Sequence, residues 1–176
     1  MSIGELLSTR GFVIALLLML CAGASEITMS QWSSLFAVLM GIGRSIYGIW
    51  GHKINLNRAL MASGILCVIC YAVTIFVQNP FISLLGCAVT GLSVSLMWPG
   101  TFSLTSATYP MGGTAMFGML AIFGDIGAAV GPWIAGVVSD AVGLGLKAGL
   151  LVAIVFPIML VIGVMLLKKL NIQSKG

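Results

Sequence analysis

Two carboxylates stand in apolar runs where a charge is costly, and they are the residues best placed for chemistry. Glu26 lies in GASEITMSQW (23–32), with Ser25, Thr28, Ser30, Gln31 and Trp32 around it. Asp125 lies in FGDIGAAVGPW (123–133), among Gly124, Gly127 and Gly131, with Pro132 close behind. Ionisable groups in an apolar span are rare and usually face a bundle interior or a wet cavity. The functional readings are therefore substrate binding, proton coupling or ion coupling. The competing reading is a structural carboxyl, protonated or hydrogen-bonded to neighbouring helices. Glu26, Gln31 and Trp32 together could hydrogen-bond and stack a polar organic solute, because indole faces suit sugar rings and cations. Trp32 reads equally well as an interfacial anchor. Asp140, at the end of an apolar run, reads as an interfacial residue.

A second polar stretch is GLSVSLMWPGTFSLTS (91–106), with four serines, two threonines and the triplet Trp98-Pro99-Gly100. Proline removes a backbone donor and kinks a helix, and interrupted helices near the membrane midplane are where transporters build sites. A plain packing kink is the alternative. Gly127 and Gly131 form G-x-x-x-G, a pattern that permits close helix approach. Other chemistry is thinly supported. Cys67 and Cys70 have C-x-x-C spacing but no βαβ context, so they read as helix-packing residues. His52 is the single histidine, and neither H-x-x-x-H nor G-x-S-x-G occurs. No enzyme, cofactor or metal site is expected.

The elements that must position these residues follow from composition. Of 176 residues, 60% are apolar and 7% charged, with a mean hydropathy of +1.17. Soluble domains carry roughly a quarter charged residues, and eight basic and four acidic side chains could not cover a water-exposed surface. The expectation is an all-α polytopic membrane protein in contact with a lipid bilayer. A β-barrel would instead show alternating segments of about ten residues. The net charge of +4 is spread over short loops and implies no nucleic-acid partner. The N-terminus has no secretory-signal pattern, since Glu5 intervenes and Arg10 is its first basic residue.

At about 20 residues per crossing, spans are expected near 11–29, 31–50, 59–77, 81–106, 113–140 and 148–167, flanked by segments 1–10 and 168–176. The second is the weakest: the chain must reverse inside 23–34, where no turn-like sequence stands. With both termini cytoplasmic, Arg10, Arg44, Lys53, Arg58, Lys168, Lys169 and Lys175 fall inside and only Lys147 outside, as the positive-inside rule asks. Arg44, six residues before Trp50, is expected to snorkel toward the cytoplasmic interface.

On GAAVGPWIAG (127–136), GRSIYGIWGHK (43–53), GASEITMSQW (23–32) and SLMWPGTFSL (95–104), the chain resembles the C-terminal six-helix half of a major facilitator superfamily transporter, near the sugar and fucose permeases. The first stretch resembles the G-x-x-x-G-P signature of the fifth helix of a half. The second resembles the basic turn after the second helix, although Gly48 and Ile49 stand where its acidic and arginine positions fall. The resemblance implies a 3+3 inverted repeat in the plasma membrane and alternating-access transport of a small polar solute, a sugar or an organic anion. A coupling proton or Na+ is left open. It places Glu26, Gln31, Trp32 and Trp98 on the cavity side, and gives Asp125, Arg44, Gly127, Gly131 and Pro132 coupling or gating roles. A complete transporter of this kind has two halves, so a second six-helix half or a self-dimer is implied. A non-transporting fragment or partner subunit is the alternative.

Overall fold

In a computed structural model describing residues 2–30, 34–51, 54–142 and 145–173, the chain is helical, with no strand among the described residues. A short helix, α1 (Ile3–Ser8), is held by a capping box in which the Ser2 hydroxyl accepts from the Glu5 amide and the Glu5 carboxylate accepts from the Ser2 amide. It tucks Leu6 under the bundle beside Phe12 and Met116. The long helices follow: α2 (Arg10–Ser30), α3 (Ser34–Trp50), α4 (Leu56–Phe76), α5 (Pro80–Val94), α6 (Met97–Thr108), α7 (Gly113–Val142), α8 (Leu146–Ala153) and α9 (Val155–Gln173).

The pairs α5–α6 and α8–α9 each make one crossing with a break in it, for the same reason. Pro99 has no amide to give the carbonyl four residues back, at Ser95, where α5 ends. Pro157 likewise leaves the carbonyl of Ala153, the last residue of α8, without its helical donor. Pro132 does not break α7, which runs through it. Among the described residues, five segments are long and apolar enough to cross a membrane: Arg10–Ser30, Leu56–Phe76, Pro80–Thr108, Pro110–Ala141 and Lys147–Leu170. The sixth helix, α3, has 17 residues and is about 25 Å long, short of a hydrocarbon core of about 30 Å. Of the expected 31–50 span, 34–50 is helical as α3, and 31–33 lie outside the described residues.

Packing follows an inverted-repeat plan. The first helix of the first repeat, α2, runs alongside α7, the second helix of the other repeat. Reciprocally, α3 runs alongside α5. The third helices follow suit, α4 packing on α5 and α9 on α2. Glycines set both close pairs. A Cβ on Gly127 would overlap the Leu20 carbonyl, and one on Gly23 the carbonyl of Gly124. A Cβ on Gly131 would come within 2.8 Å of Ala24 Cα. In the other pair, Gly91 lies against the Phe36 carbonyl and Gly43 against Ser95. Without a hydrophobic drive in lipid, such backbone approach is what holds helices together. The core between the layers includes Leu18, Phe36, Leu60, Tyr71, Met97 and Leu160.

Candidate functional site

Glu26 lies sixteen residues beyond Arg10 on α2, about 24 Å along the axis, and its side chain is only 11% exposed. One carboxylate oxygen is satisfied: Arg44 on α3 donates from Nη2 to Oε1 at 3.1 Å. The other, Oε2, is buried and finds no hydrogen-bond partner among the described residues. The pair exists because of how α3 is seated. Gly43 presses α3 onto α5 at Ser95, so the next residue, about 100° around the helix, swings toward α2. Three residues further on, Tyr47 donates to the Ser103 hydroxyl of α6 at 3.1 Å. A helix that packs mainly on α5 is thereby pinned to α2 and α6 by two polar contacts.

This corrects the sequence expectation for Arg44. Its guanidinium does not run toward the Trp50 end but reaches a carboxylate four residues from the far end of α2. Pairing takes the place of snorkelling here, because removing Arg44 would leave the buried Glu26 carboxylate as an uncompensated charge. Arg44 nonetheless keeps 46% of its side chain exposed. One of its five donors is spent on Glu26.

Elsewhere on α2 and α6 further polar atoms are under-used. Ser25 Oγ, Thr28 Oγ1 and Trp98 Nε1 are, like Glu26 Oε2, buried without a partner among the described residues. The α2 backbone is steadied from behind, where Tyr71 donates to the Ser25 carbonyl at 2.9 Å. Trp98 is half-buried. Its six-membered ring lies over Gly124, where a Cβ would come within 2.7 Å of Cη2. It is tilted on Phe102, with centroids 6.4 Å apart, and Phe102 stacks on Phe117 at 5.7 Å. Trp98 therefore wedges α6 against α7 as well as offering an indole N–H. Gln31 and Trp32 lie outside the described residues.

Asp125 is not part of this constellation. It follows Gly124, but the buried face of α7 runs through Met116, Leu120, Gly124, Gly127, Gly131 and Ala135, and Asp125 is exposed on the opposite side. The Glu26–Arg44 bridge is the one ion pair among the described residues. Gly118 and Gly136 share the outward face, and a Cβ on either would meet nothing within 4 Å. Gly127 and Gly131 pack α7 on α2, and Pro132 lies partly buried just beyond them. The four cysteines are free and buried. No group of three or more His, Cys, Asp or Glu that could hold a metal occurs among the described residues.

Sequence reasoning missed Tyr47 and Ser103, though the i, i+3 spacing of Arg44 and Tyr47 was a signal that they share a face. It also missed a cavity of about 360 Å³ at the end of the bundle bearing the α4–α5 turn.

Among known families, the model of the Major Facilitator Superfamily matches residues 3–175. No curated protein and no solved structure matches the chain.

Proposed function

Since this chain belongs to the major facilitator superfamily, a family of transporters and not of enzymes, we propose that it forms one half of an alternating-access carrier for a small polar organic solute. Its role is of the membrane-transporter type, and it is a multi-pass membrane protein. The finer reading rests on one observation, the Glu26–Arg44 pair. A carboxylate and a guanidinium meet at membrane depth with Oε2 uncommitted and Arg44 open on one side. A charge half-exposed at that depth belongs to a water-filled cavity, because lipid does not solvate it.

In this reading Arg44 offers donors to a solute hydroxyl or carboxylate, and Glu26 Oε2 accepts from a solute hydroxyl. The Trp98 indole supplies a flat apolar face and a donor. The open side is closed by a second six-helix half or a second copy of the chain. Asp125, exposed on α7, then faces water or a counter-charge in that partner, and Pro132 with Gly127 and Gly131 forms the gating hinge. Both termini lie on the cytoplasmic side of the plasma membrane, because Arg10, Arg58, Lys168 and Lys169 share one end of the bundle.

The test is uptake of radiolabelled hexoses and short monocarboxylates into proteoliposomes. These hold the chain alone, or the chain co-purified with a six-helix half encoded beside it. Uptake by either, lost in Glu26→Gln and Arg44→Gln, is the expected result. Uptake unchanged by Glu26→Gln removes Glu26 from the site. A second reading, a non-transporting membrane partner, is favoured by one observation, the 17-residue α3, too short to cross squarely. Absence of uptake with either partner supports that reading.

A further inference from the structure

The cavity at the α4–α5 end is unlike the Glu26 region, because the hydroxyls and the thiol of its wall are spent, which leaves the exposed Gln78 amide as its other neutral polar group. Thr74 donates to the Cys70 carbonyl at 2.9 Å, Ser83 to the Thr74 carbonyl at 2.8 Å, and Cys87 to the Met29 carbonyl at 3.4 Å. What remains facing the space is mostly hydrocarbon, from Val77, Pro80 and Leu84 among others, over a buried floor that includes Met29 and Leu150. At about 360 Å³ the space falls within the range of small-molecule pockets.

One full charge lines it. Lys147, at the start of the last crossing, donates to the Val77 carbonyl at 3.0 Å, just beyond the end of α4. That bond uses one of three ammonium donors and fixes the cation at the cavity's rim. The arrangement is an apolar slot with a tethered ammonium where a span begins, at headgroup depth. Among the described residues, no acidic side chain lines the slot to neutralise the cation.

We propose that this slot binds an acidic amphiphile, with its carboxylate or phosphate on Lys147 and its chain against Val77, Pro80 and Leu84. The site lies apart from the Glu26–Arg44 pair and does not depend on the transport reading. Either a fatty acid or an anionic phospholipid presents this chemistry.

The test uses the full chain in phosphatidylcholine vesicles doped with spin-labelled stearate, phosphatidylglycerol or phosphatidylcholine. Electron spin resonance gives the protein-bound fraction of each. Stearate, phosphatidylglycerol or both should be held about fivefold more strongly than phosphatidylcholine, the ratio one interfacial cation supports. Lys147→Gln should bring the acidic labels down to the phosphatidylcholine level, and Lys147→Arg should keep the preference. Leu84→Trp, at an exposed position on the slot's wall, should displace the acidic chain without unfolding the protein, as circular dichroism would show. Preference for stearate alone identifies a fatty-acid site, and for phosphatidylglycerol alone a phospholipid site. Equal retention by wild type and Lys147→Gln, or acidic retention unaffected by Leu84→Trp in folded protein, overturns the proposal and leaves Lys147 as a cap on α4.

Discussion

The helices α3 and α7 hold equivalent places in the two repeats, and they use their charges in opposite ways. Each is pressed by glycine onto a first helix of the other repeat, α3 on α5 and α7 on α2. Yet α3 turns Arg44 inward to Glu26, whereas α7 turns Asp125 outward to no ion-pair partner among the described residues. Length differs as well: 17 residues against 30. Equivalent packing therefore does not give equivalent chemistry. The offset from a packing glycine is the same, so what decides is whether a further helix stands one step round: α2 does beside Arg44, and no helix contacts Asp125 among the described residues. Arg44 follows Gly43 by one residue toward α2, and Asp125 follows Gly124 by one residue away from it.

The sharpest way to break this contrast is to remove the cation. Arg44→Ala leaves Glu26 buried and unpaired, a change that costs about 3–5 kcal/mol for a buried pair, and less here because Arg44 is half-exposed. Thermal unfolding in detergent should show a clear fall, partly restored in the Arg44→Ala/Glu26→Ala double variant. A double variant as unstable as the single would mean that the two side chains do not depend on each other.

Next in size is a test within α7 itself. Gly127→Val drives a side chain into the Leu20 carbonyl and should cost about 1–3 kcal/mol or more. Gly118→Val, on the open face of the same helix, should stay within roughly 0.5 kcal/mol. Equal effects would show that the outward face is packed after all. Smaller again, Tyr47→Phe removes the bond to Ser103 and should cost about 1 kcal/mol. It should also loosen α3, read as faster amide exchange there than in α7.

The smallest effect on stability is expected at Asp125. Asp125→Asn should change the unfolding midpoint little, within about 0.5 kcal/mol, because no described contact is lost. Its accessibility is the informative readout. Asp125→Cys should react with a water-soluble maleimide if the outward face lines a wet cavity, and Glu26→Cys should react more slowly. An unreactive Asp125→Cys would put that face against lipid or a tightly packed partner.

Much of the fold was legible without coordinates, because a bilayer allows few solutions. Long apolar runs become helices, and short polar turns such as QNP (78–80) separate them. Pro99 predicted its break, since a missing amide acts locally. Pro132 shows the limit of that logic: the same residue type leaves α7 continuous where Gly127 and Gly131 clamp it to α2. The reversal expected inside 23–34 was hard to place because no turn residue marks it; α2 is helical to Ser30, and 31–33 lie outside the described residues. At the site, Glu26 and Arg44 were each singled out, but not as partners. They are 18 residues apart on different helices, and nothing local in sequence encodes their meeting.

The sequence by itself determined the helical membrane architecture, the family resemblance and which residues carry charge at membrane depth. Those depend on composition and on spacing along one chain, where the cost of burying a backbone or a charge is set residue by residue. Only the tertiary structure decided that Glu26 is paired, that Asp125 is not, and that Lys147 stands over an apolar slot. Each of those depends on which face of one helix meets which face of another, and that is fixed by glycine contacts between helices distant in sequence.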